Sequence, residues 1–111
     1  MSEYPILISV LVLLVFLSGC VGQKTEVTPK EKATAACIQK CKDALEAGQD
    51  LSKGPCLDNG IIEGWVCDVA HSPRQPVDND PANQCSEFGK TAFSFVEVDP
   101  NCNFIKTGSM V

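Results

Sequence analysis

Cys37, Cys41, Cys56, Cys67, Cys85 and Cys102 constrain the fold of this 111-residue chain more than any other feature. A domain of this size buries a limited fraction of its surface and is marginal on hydrophobic burial alone. Cross-links therefore decide whether it holds one structure. In an oxidising compartment six cysteines make three disulfides, each stabilising by about 2–4 kcal/mol through restriction of the unfolded chain. In a reducing compartment the same side chains would serve a metal. Six cysteines allow fifteen pairings, and spacing does not select among them. The compartment has to be settled first, and a seventh cysteine, Cys20, bears on it.

Cys20 closes the tetrapeptide Leu17-Ser18-Gly19-Cys20, directly after an apolar run from Ile6 to Leu17 that only Ser9 interrupts. As a helix that run spans about 18 Å, short of the roughly 30 Å hydrocarbon core of a bilayer. Its length and the small residues behind it fit the apolar region and cleavage site of a secretory signal. The tetrapeptide resembles the lipobox of prokaryotic lipoproteins. That resemblance implies cleavage before Cys20, with Leu17, Ser18 and Gly19 as recognition positions and a lipid on the Cys20 sulfur. The expected organisation is a signal peptide at 1–19, a lipid-anchored tether at 20–28 and a disulfide-rich domain at 29–111. The mature chain would sit on the outer face of the cell membrane, its only membrane contact the lipid on Cys20. The charges leave an alternative open: Met1 to Pro5 holds no Lys or Arg, and Lys24, Lys30 and Lys32 follow the apolar run. By the positive-inside rule this suits an uncleaved anchor carrying a cytoplasm-facing zinc-cysteine domain.

A formal net charge of −5 without a basic cluster argues against nucleic acid, where phosphate neutralisation dominates affinity. Val21 to Val27 is a polar tether that reaches at most about 25 Å when extended. Thr28-Pro29-Lys30-Glu31 then has the form of a helix start, with Thr28 as N-cap and Pro29 in the first turn. Thr34, Cys37, Ile38, Cys41, Ala44 and Leu45 recur at the spacing of one helical face, and Gly48 suits the position after the C-cap. The pattern predicts a helix over 30–47. Cys37 and Cys41 lie one turn apart with near-parallel side chains, so they should reach two other segments rather than each other.

Turn signals at Gly54-Pro55 and Asp58-Asn59-Gly60 predict a loop over 49–60, with Cys56 anchoring it to the helix. Residues 61–70 read as a strand with Trp65, Cys67 and Val69 on one face, Val66 and Asp68 on the other, and Gly64 at a bulge. Phe93 to Val98 and Cys102 to Lys106 flank the turn Asp99-Pro100-Asn101 as a β-hairpin, with Gly108 to Val111 a frayed end. The expected fold is α+β: one N-terminal helix packed on a small antiparallel sheet of about three strands, stapled by disulfides. Between the strands, residues 71–84 hold Pro73, Pro76 and Pro81, the sole histidine His71 and the sole arginine Arg74. Long irregular loops of this kind are usually functional or disordered. A Cys67–Cys85 disulfide would close it at its base.

No chemistry-bearing motif stands out, and no cofactor is called for. Cys67, His71 and Cys85 do not match paired zinc-ligand spacing. Asp78-Asn79-Asp80 and Asn83 make a fragment of a calcium loop that lacks its glycine and terminal glutamate. There is no G-x-S-x-G nucleophile and no CxxC redox pair. Asp68 and His71 would form an acid–base pair if the chain turned after Val69, which defines a hydrolase-like or metal-dependent alternative. Gly54-Pro55-Cys56-Leu57, the stretch Trp65 to Arg74, and Phe95-Val96-Glu97-Val98 resemble small cysteine-rich exported archaeal proteins, over residues 35–106. That resemblance implies export and disulfides and brings no activity. The leading expectation is a binding module of an unknown protein or small-molecule partner, with Asp68, His71, Arg74, Asp78 and Asp80 as its candidate loop residues.

Overall fold

The computed structural model describes residues 26–110. The expected signal peptide, Cys20 with most of the tether, and Val111 lie outside the described residues. Helix α1 (Pro29–Glu46) opens where Thr28 accepts a hydrogen bond from the Glu31 amide at 3.2 Å. It ends in a Schellman turn: the amides of Gly48 and Gln49 bond the carbonyls of Leu45 and Ala44, and Gly48 takes a φ of +82° that few other residues tolerate. Ala33, Cys37 and Cys41 form its buried stripe. No helix among the described residues is long and apolar enough to cross a membrane.

Four strands follow, β1 (Cys56–Ile62), β2 (Trp65–Val69), β3 (Ser94–Val98) and β4 (Phe104–Ser109), and they lie in the sheet in that order. The sheet thus has one strand more than expected. The segment 61–70 is not one strand: Gly64, at φ +81°, makes the tight turn of a β1–β2 hairpin rather than a bulge. The last part of the expected 49–60 loop, from Cys56 on, is strand β1. The central pair β2–β3 is parallel, Val66 facing Phe95 and Asp68 facing Glu97, while both outer pairs are antiparallel. A parallel pair needs a long crossover, and the proline-rich segment supplies it. That segment is also less irregular than its composition suggests, with two short 3₁₀ turns at Pro76–Asn79 and Pro81–Asn83. Gly108 and Ser109, expected to fray, complete β4 opposite Phe95 and Ser94.

Strand alternation sorts the side chains into two layers. Cys67, Val69, Val96 and Val98 meet Ala33, Cys37 and Cys41 of the helix in the main core, with Trp65 packed against it. On the opposite face Val66, Cys85 and Ala92 form a smaller cluster with Cys56, Phe88 and Phe95. The disulfides respect this division. Cys37–Cys67 and Cys41–Cys102 tie the helix to β2 and to the turn after β3, as the parallel cysteine side chains on α1 require. Cys56–Cys85 ties the crossover to β1 on the other face. The expected Cys67–Cys85 bond is absent because Cys67 points toward the helix and Cys85 lies in the outer cluster. Cys56 does not reach the helix for the same reason: it stands opposite Asp68, on the outward face.

Non-reducing peptide mapping should return these three pairs, and a Cys67–Cys85 peptide would contradict the layering. Converting both Cys41 and Cys102 to Ala opens a loop of 61 residues. It should lower the unfolding free energy in chemical denaturation by about 4 kcal/mol.

Candidate functional site

The crossover is organised by one carboxylate. Asp78 is 3 % exposed, and its Oδ2 accepts the amides of His71 and Gln75, both at 2.9 Å. Its Oδ1 lies 2.9 Å from the Nδ1 of His71. Burial opposes its ionisation, but the bonds from Gln75 and His71 and the proximity of the His71 ring prevail and hold its pKa below the usual carboxylate range. Gly54 makes room for it: a Cβ there would stand 2.7 Å from Asp78 Oδ1 and 3.0 Å from the Val69 carbonyl, at a φ of +70°. The His71 and Asp78 side chains are 15 % and 0 % exposed, so this pair braces the loop and Asp78 is not displayed on it. Asp80 is exposed but caps the second 3₁₀ turn, accepting the Ala82 amide at 3.0 Å. In the calcium-like run Asp78-Asn79-Asp80 both carboxylates are thus occupied with holding backbone amides.

Arg74 is placed by this scaffold. Its Nε donates to Asn79 Oδ1 at 2.9 Å, its Nη2 to the Asp78 carbonyl at 3.2 Å and its Nη1 to Glu97 Oε1 at 3.3 Å. Glu97, on β3, is 8 % exposed. Beside it on β2 stands Asp68, its partner in the parallel register. Asp68 Oδ1 is sealed from solvent without any hydrogen-bond partner, unlike every other buried side-chain N or O among the described residues. Its carboxyl is raised to about 7, chiefly by burial and then by the charges of Glu97 and Asp78, with Arg74 and the Val69 amide opposing.

Asp68, Glu97 and Arg74 edge a hollow of about 180 Å³ on the outward face of the sheet. Val66, Phe88 and Phe95 supply its apolar side, the two rings meeting edge to face with centroids 5.5 Å apart. Gly108 lets the Phe95 ring lie over β4, since a Cβ there would collide with it. A shallower depression beside the first turns of α1, at Thr28, Ile38 and Phe104, contains no unpartnered buried polar atom.

The structure separates two residues that the sequence suggests as a pair. His71 is hydrogen-bonded to Asp78, and Asp68 belongs with Glu97 and Arg74. Of the five candidate loop residues, Asp68 and Arg74 reach the hollow and His71, Asp78 and Asp80 do not line it. Glu97 and the two phenylalanines were not anticipated. A signal for Glu97 existed: it is the sole charged residue in the strand Ser-Phe-Val-Glu-Val. All six domain cysteines are paired, which leaves no thiolate among them for zinc. Among the described residues no group of three or more His, Cys, Asp or Glu could hold a metal ion. No family model, curated protein or solved structure matches the chain at a significant level.

Replacing Asp78 by Ala strands two backbone donors and should cost about 2–4 kcal/mol in unfolding free energy. The pH dependence of stability has two opposed parts. Asp78 adds stability above the ordinary carboxylate pKa, lost as pH falls through its depressed value. Asp68 acts the other way: from about pH 4 to 7 the folded chain keeps a proton that the unfolded chain has released. Stability should therefore decline as pH rises through that interval. Asp68→Asn should flatten the decline and be the more stable form at about pH 8, by on the order of 2–4 kcal/mol. Parallel pH profiles for the two proteins in thermal or chemical unfolding would contradict this account of Asp68.

Proposed function

We propose that this chain is an extracytoplasmic recognition module, anchored to the outer face of the cell membrane through a lipid on Cys20, that takes a small ligand in the hollow over Asp68. The observation that carries the ligand-binding reading is Asp68 on the wall of a preformed hollow, a carboxyl whose buried Oδ1 has no hydrogen-bond partner. Leaving a carboxylate oxygen unsatisfied costs free energy that an apolar residue would avoid. A polar group of this kind beside apolar walls is the usual make-up of a small-molecule site. The position of the hollow also suits recognition, because it lies on the face of the sheet away from α1.

The anchoring reading draws on different support. Three disulfides belong with an oxidising environment, and Leu17-Ser18-Gly19-Cys20 gives the seventh cysteine a use. Because α1 starts at Pro29, the tether before it keeps the domain within a few tens of ångströms of the bilayer.

Two measurements test the two halves. The intact mass of protein extracted from membranes should show an amino terminus at Cys20, an added lipid, and a gain of six hydrogens on reduction. An unprocessed amino terminus would remove the lipid anchor. For the hollow, the full chain in detergent should show chemical-shift changes at Val66, Phe88 and Phe95 with at least one of benzyl alcohol, benzoate or benzylammonium. Indifference to all three would remove the hollow as a ligand site.

A further inference from the structure

Among the residues that line the hollow, two carboxylates face one guanidinium. Arg74 directs Nε, Nη1 and Nη2 to Asn79, Glu97 and the Asp78 carbonyl, so its guanidinium is committed to protein acceptors on all three nitrogens. Its ion pair with Glu97 accounts for one of the two carboxylates on the wall. Asp68 remains, with one oxygen that nothing satisfies. An anionic ligand would meet Asp68 and Glu97 on the wall, where Arg74 already faces Glu97 and the nearest other cation, Lys106, stands over the Phe95 ring. An inorganic cation fits poorly, since calcium and magnesium take six or more oxygen ligands and much of this wall is Val66, Phe88 and Phe95. Aromatic faces beside a carboxylate suit instead a cation that carries its own apolar surface.

We infer that the ligand is a small organic cation, a protonated amine on an aromatic or comparable apolar group, donating N–H to the Asp68 carboxylate while its apolar part lies against Val66, Phe88 and Phe95. This rests on the hollow being a ligand site, as proposed above. The volume is adequate: a cavity of about 150 Å³ holds benzene, and this one is about 180 Å³ and open to solvent. The surroundings add a pH dependence. Glu97 of β3 and Asp78 of the crossover disfavour a charge on Asp68, Arg74 favours it, and Lys106 of β4 stands 5.9 Å from the Phe95 ring centroid. With its carboxyl raised to about 7, Asp68 is neutral in mildly acidic solution and ionised in mildly alkaline solution. The site should take its ligand above neutrality and release it below.

The test is a chemical-shift titration of the full chain in detergent with benzylammonium, benzyl alcohol and benzoate, at about pH 8 and about pH 5.5. At the higher pH benzylammonium should shift Val66, Phe88 and Phe95 and bind about tenfold or more tightly than the other two probes. Its affinity should fall about tenfold or more at the lower pH, following the ionised fraction of Asp68. Asp68→Asn should abolish that pH dependence and weaken benzylammonium without weakening benzyl alcohol, which also corrects for partition of the probes into detergent. Equal or tighter binding of benzyl alcohol or benzoate would overturn the ligand class while leaving the hollow as a site. An unchanged affinity in Asp68→Asn would do the same. Failure of all three probes would remove both readings together.

Discussion

Two disulfides on one helical stripe, Cys37–Cys67 and Cys41–Cys102, fix the relation of α1 to the sheet, and the other arrangements follow from that choice of face. Once Cys67 is turned toward the helix, period-two alternation sends Val66 and Asp68 to the far side of β2. The same rule applied to β3 sends Phe95 and Glu97 there. A chain this small cannot cover both faces with helices, so the second face receives the crossover between the parallel strands. Cys56–Cys85 then holds that crossover where few apolar contacts would.

The outer layer illustrates how a polar segment can be ordered without a hydrophobic core of its own. Asp78 replaces one: a single buried carboxylate gathers the amides of His71 and Gln75 and the His71 ring. The backbone so fixed aims Arg74 across the sheet to Glu97. The hollow is the space that remains between this braced segment, the aromatic pair and the strand surface. Asp68 is the one side chain in it whose polar demands the fold does not meet. Its elevated pKa and its missing partner have one origin, the withdrawal of a carboxylate from water beside a second negative charge.

Much of the architecture was legible in local signals. The Thr28 cap, the stripe through Cys37 and Cys41 and the glycine at 48 place α1 to within a residue at either end. The alternation around Cys67 assigns its two faces correctly. Strand β1 was not legible, because Asp58-Asn59-Gly60 carries turn chemistry and β-propensity yields to pairing with a neighbour. Nor did local pattern distinguish a parallel β2–β3 pair from an antiparallel one, since the direction of a pairing is set by where a distant segment lands.

What the sequence determined by itself is what depends on short-range chemistry: helix limits, faces of strands, the inability of Cys37 and Cys41 to bond each other, and the presence of enough cysteines to staple a thin core. What only the tertiary structure decided is everything that joins remote residues. Cys85 meets Cys56 rather than Cys67, His71 meets Asp78 rather than Asp68, and Asp68 meets Glu97 from another strand. The reason is physical. Periodicity states which way a side chain points, but which partner waits there depends on the layer that the chain folds back to cover. That layer is fixed here by the helix occupying one face and the crossover the other.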